Sequence, residues 1–93
     1  MSSIVQPTGS PADARVAVVF EYGKIRPIWF ERISQLASDR VMVKMVNQVW
    51  KSRDGDAILV SYAVTAAGNN YVLIFNSLDF TWTLQIVEES PFP

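Results

Sequence analysis

Apolar residues fall at every second position through most of the second half of this chain, and glycine-bearing turns cut the alternation into strand-sized pieces. Val41, Val43, Met45 and Val49 share one face, interrupted by Asn47, while Arg40, Lys44 and Gln48 lie on the other. Ile58, Val60, Tyr62 and Val64 alternate with Ala57, Leu59, Ser61 and Ala63, and Trp82, Leu84 and Ile86 alternate with Thr81, Thr83 and Gln85. A period of two belongs to the β-strand, whose successive side chains point to opposite faces. Strands are therefore expected at 41–52, 57–65 and 81–87, with Ile58, Val60, Tyr62, Val64, Trp82, Leu84 and Ile86 pointing inward together. Tyr71 to Phe75 is apolar at every position, which predicts a strand over 71–76 covered on both faces. Asp54-Gly55 predicts a type I′ hairpin turn, because both central residues of that turn need φ > 0. Gly68-Asn69-Asn70 and Asn76 to Asp79 supply the next two turns.

The first half repeats the pattern less cleanly. Val16, Val18, Phe20 and Tyr22 alternate with Ala17, Val19 and Glu21. Gly23-Lys24 then offers a tight turn into a returning strand over 25–30. Pro27 cannot donate to a ladder, so that strand is expected at an edge or with a bulge. Trp29, Ile33, Leu36 and Ala37 fall at helical spacing. They fit a short helix, and a strand followed by a loop fits the same residues; the reading adopted is strand for 25–30 and a helical turn over roughly 32–38. Residues 1–14 hold two prolines, a glycine and three serines, and read as a mobile arm. Residues 90–93, Ser-Pro-Phe-Pro, read as a stiff tail. The expectation is one mainly-β domain over 15–89, an antiparallel meander of about six strands that forms a bent sheet or small barrel.

What the chain lacks narrows its chemistry. It has no cysteine and no histidine. That excludes disulfides, thiol chemistry, the usual zinc sites, and nucleophilic triads built on histidine. Neither a basic leader with an apolar run nor a stretch of roughly 18 uncharged apolar residues occurs, so a cytoplasmic location is the default expectation. Two carboxylates flank Gly55 in Asp54-Gly55-Asp56, but a cation loop needs further oxygen ligands at fixed spacing, and a turn explains the residues. Glu88 and Glu89 are neighbours on a strand, so they point to opposite faces and cannot converge on one substrate. Tyr71, Phe75, Phe80 and Trp82 read as a packing cluster without recognisable polar anchors for a ligand. No catalytic residue, metal ligand or cofactor site is expected.

Charge is the remaining clue. All eight basic residues lie between Arg15 and Arg53, where only three acidic residues accompany them; Asp54, Asp56, Asp79, Glu88 and Glu89 follow without a single cation. The total of −1 thus hides a basic segment of +5 and an acidic one of −5. Two functions from different classes fit. The first is a non-enzymatic interaction module that self-associates, with the basic half of one copy steering toward the acidic half of another. The second is an accessory nucleic-acid-binding module in which Lys24, Arg26, Arg32, Lys44, Lys51 and Arg53 meet phosphates and Trp29 and Trp50 stack on bases. An acidic overall balance and the ordinary burial of aromatics favour the first.

Arg26-Pro27-Ile28-Trp29-Phe30, Val49-Trp50, Gly55-Asp56, Tyr71-Val72-Leu73 and Trp82-Thr83-Leu84 resemble the spacing in small bacterial β-domains of uncharacterised function. The resemblance spans about residues 15–87, with a longer stretch here between Phe30 and Val41. It implies a β fold. Some domains of that kind accompany translesion DNA polymerase systems, which implies a nucleic-acid context; no catalytic residue comes with the resemblance.

Overall fold

A computed structural model describes residues 5–33 and 40–89, with side chains over 11–33 and 40–87. Six antiparallel strands follow one another around a closed barrel: β1 (Val5–Glu21), β2 (Lys24–Arg32), β3 (Val41–Asp54), β4 (Ala57–Ala66), β5 (Asn69–Asn76) and β6 (Thr81–Glu89). Every neighbour in sequence is a neighbour in space, and β1 closes the ring by pairing with both β2 and β6. The described residues contain no helix. Arg32 is the last residue of β2 and Ile33 lies in a turn, so the start of the expected helical turn at 32–38 is corrected; residues 34–38 lie outside the described residues, as does the 90–93 tail.

The arm expected over 1–14 is also corrected from Val5 onward, residues 1–4 lying outside the described residues. From Val5 onward the chain is strand, and Val5 to Ala14 pairs with β6 from Glu89 back to Trp82. The glycine and proline that suggest mobility have another use. Gly9, Ser10 and Pro11 fall where the β1–β6 register shifts between Thr8 and Ala12, and such an irregularity bends a strand so that it can follow a tightly curved wall. Ala14 sits at the handover, opposite Trp82 on one side and Arg32 on the other.

Turn chemistry places the hairpins one residue away from the sequence expectation. Tyr22 (φ 53°) and Gly23 (φ 71°) form the first turn, and Ala67 (φ 50°) and Gly68 (φ 77°) the third. Both are two-residue loops with positive φ at each central residue, the type I′ pattern that matches strand twist. At the second hairpin Asp54 pairs with Ala57, so Gly55 and Asp56 are the central residues rather than Asp54 and Gly55. Only Gly55 has positive φ there (62°), the signature of a II′ turn. Between β5 and β6, the Asn76 side-chain oxygen accepts from the backbone N–H of Leu78 at 2.9 Å and of Asp79 at 3.4 Å. Asp79 in turn accepts from the Thr81 hydroxyl at 2.6 Å.

The core forms where the inward faces meet. Ala14, Phe30, Tyr62, Val64, Ala66, Leu73 and Leu84 are buried, with Val16, Ile25, Val60, Tyr71 and Trp82 packed around them. Phe30 meets Tyr71 edge-on at 5.0 Å, and Trp82 touches both Tyr62 and Phe75. Of the residues expected inward, Ile58 and Ile86 are 42% and 43% exposed. They share the core face by strand alternation, yet both stay largely open to solvent. Burial raises the Tyr62 phenol above its ordinary 10.0, because the phenolate cannot be solvated there. The folded state then holds the proton longer than the unfolded chain does. Stability is therefore expected to be full below pH 10 and to fall as pH climbs through the raised value. Urea titrations across that range should show the fall, and Tyr62→Phe should flatten this contribution.

Candidate functional site

From Ala57 to Val87 the only charged residue is Asp79. In the barrel this stretch is the wall made by β4, β5 and β6. A core face without charge is expected; an outer face without charge is not. The outward positions carry Leu59, Ser61 and Ala63 on β4, Val72 and Ile74 on β5, and Gln85 and Val87 on β6. These residues sit beside one another: Ser61 is opposite Ile74, Ala63 opposite Val72, and Val72 opposite Gln85. Ser61, Val72 and Val87 are buried although they lie on the face away from the core. The wall is hollowed into a groove of about 680 Å³, and Trp50 and Gln48 of β3 line it beside β4. At one end Asn47 donates to the Thr65 hydroxyl at 2.8 Å, and that hydroxyl donates to Asn70 at 3.2 Å, tying β3, β4 and β5 together.

The second unusual feature is an open strand edge. β2 pairs with β3 only through Trp29 opposite Met42 and Phe30 opposite Val41. Beyond Met42, no strand among the described residues pairs with β3 on that side. Register shifts at 43–45 and 46–48 roughen the first part of this edge, as natural edges often are. From Gln48 to Asp54 the strand is regular against β4, and every residue there is exposed. In a two-residue hairpin the flanking pair, Asp54 and Ala57, exchanges hydrogen bonds. Alternation then turns the backbone groups of Ser52, Trp50 and Gln48 toward β4, and those of Arg53, Lys51 and Val49 away from it.

The basic and aromatic residues singled out by sequence do not form one surface. On the β1–β2 hairpin Arg26 lies 3.5 Å from Glu21, and Arg15 lies 3.1 Å from Glu31. Lys24 is exposed at the turn, and Arg32 is half-buried opposite Ala14. Arg40 stacks over Trp29 at 4.3 Å, which occupies one face of that ring. Lys44 falls at a register shift of β3. Lys51 and Arg53, opposite Val60 and Ile58, share the core-side face, whereas Trp50, opposite Ser61, is on the groove face. Sequence reading missed the groove residues Gln48, Ser61 and Gln85. The signal was present as the missing charge after Ala57, but it gains meaning only when outward positions are known.

Among the described residues no group of three or more carboxylates gathers as a metal site, and no helix is long and apolar enough to cross a membrane. No protein-family model matches the chain, and no curated protein or solved structure matches it significantly.

Proposed function

We propose that this domain is a non-enzymatic interaction module that self-associates, pairing the free edge of β3 with the same edge of a second copy. The observation that carries this reading is the regular, exposed segment from Gln48 to Asp54, which no strand among the described residues pairs on its outer side. Outward N–H and C=O groups at Val49, Lys51 and Arg53 are a template for an added strand. An antiparallel match about a two-fold axis at Trp50 sets Lys51 against the partner's Val49 and brings the two indoles together. No like charges then oppose each other, and aromatic cross-strand pairs are favourable. The nucleic-acid reading has less support, since Trp50 and the cations Lys51 and Arg53 project from opposite faces of β3.

Light scattering at micromolar concentration should give twice the 10.4 kDa chain mass. Val49→Pro should give the monomer. Proline removes an N–H that points away from β4, so the β3–β4 ladder survives and the edge alone is blocked. A wild-type chain that scatters only as 10.4 kDa, or a Val49→Pro variant that remains dimeric, contradicts the proposal.

A further inference from the structure

The groove on the uncharged wall has a chemistry of its own, and most of its lining lies on β4, β5 and β6 rather than on the β3 edge. Its volume, about 680 Å³, lies within the range of small-molecule sites, roughly 300–1,000 Å³. Its floor is apolar: Leu59, Ala63, Val72, Ile74 and Val87. Its polar lining includes Asn47, Gln48, Ser52, Ser61, Asn70 and Gln85, beside the Tyr71 phenol. These six are amides or aliphatic hydroxyls, and none of the described lining residues is charged. Asn47 and Asn70 are held by the Thr65 relay, which fixes their direction. Trp50, 39% exposed, supplies an open aromatic face at the β3 side.

These features select a ligand by elimination. Among the described lining residues a phosphate or carboxylate finds no cation to offset its desolvation, and a cationic ligand finds no carboxylate. A purely apolar ligand would leave six polar groups stripped of water without partners. A ligand rich in neutral hydroxyls meets all the requirements. Each hydroxyl donates and accepts, as the amides and serines do, and the C–H face of a pyranose ring offers an apolar surface to the indole and the floor. We propose that this groove binds a neutral saccharide, with Trp50 as the stacking platform and Gln48, Ser61 and Gln85 as hydroxyl partners.

The test is a titration of the full ¹⁵N-labelled chain with maltotriose, cellotriose and triacetylchitotriose, followed by amide chemical shifts. At least one trisaccharide should move the amides of Trp50, Ser61, Val72 and Gln85 with a dissociation constant in the range of about 0.1–10 mM. Trp50→Ala should weaken that binding roughly tenfold, as loss of an aromatic contact does. Gln85→Ala lies on β6, away from the free edge. It should weaken binding while leaving the mass by light scattering unchanged, which separates this site from self-association. The dispersed spectrum of each variant reports that it is folded. The inference is overturned if no trisaccharide shifts these amides, if the shifts fall elsewhere, or if Trp50→Ala and Gln85→Ala bind as the parent does. It is equally overturned if 1-hexanol fills the groove and the sugars do not.

Discussion

Phe30→Ala is expected to lower the free energy of unfolding by about 3–5 kcal/mol, the range for deleting a buried aromatic side chain. Phe30 is only 1% exposed and stands where the barrel is joined. It pairs with Val16 of β1 and with Val41 of β3, and its ring packs against Tyr71 of β5 across the interior. The β2–β3 seam contains only two residue pairs, so the ring that fills the space behind it has no substitute. A domain of this size has a total stability of roughly 5–15 kcal/mol; this one substitution takes much of it. Arg26→Ala, on the outward side of the same strand, removes only an exposed ion pair to Glu21. It should cost about 1 kcal/mol or less. Urea denaturation of both variants checks the contrast, and equal midpoints would mean that the seam is packed by something other than Phe30.

The second large effect concerns the register of β6. Leu84 is 3% exposed and faces Leu73 across the β5–β6 ladder. Its neighbour Gln85 pairs with Val72 on the opposite face and lines the groove. Leu84→Ala should cost about 2–5 kcal/mol, whereas Gln85→Ala should cost about 0.5 kcal/mol or less. A one-residue slip exchanges the faces of a strand. If the two substitutions shift the thermal midpoint equally, the register of β6 is different from the one described.

Which parts of this architecture were legible in the sequence follows from what each signal depends on. Alternation is local, so β4, β5 and β6 could be read residue by residue, and the apolar run from Tyr71 to Phe75 correctly announced a strand with both Val72 and Leu73 buried. The turns were displaced because two of them use Tyr22 and Ala67 at positive φ, residue types that give no compositional sign of it. The start of β1 was hidden for a related reason. Gly9 and Pro11 punctuate many mobile segments, and only the β6 partner reveals that they sit at a bend within a paired strand. Strand pairing is also what makes the candidate sites. The open edge of β3 exists because β2 separates from it after Met42, a long-range fact that no local pattern encodes. The cluster of cations between Arg15 and Arg53 suggested a single basic surface, yet strand alternation and ion pairing with Glu21 and Glu31 distribute it over different faces.

Amide hydrogen exchange measured below and above the concentration at which the chain associates tests the proposed use of that edge most directly. The N–H groups of Val49, Lys51 and Arg53 point away from β4, so in the isolated domain they should exchange rapidly, while those of Gln48, Trp50 and Ser52 are protected by the ladder. Association through the edge predicts that protection at Val49 and Lys51 rises with concentration and that the β4-facing amides change little. If the chain dimerises and Val49, Lys51 and Arg53 still exchange as fast as in the monomer, the β3 edge is not the interface.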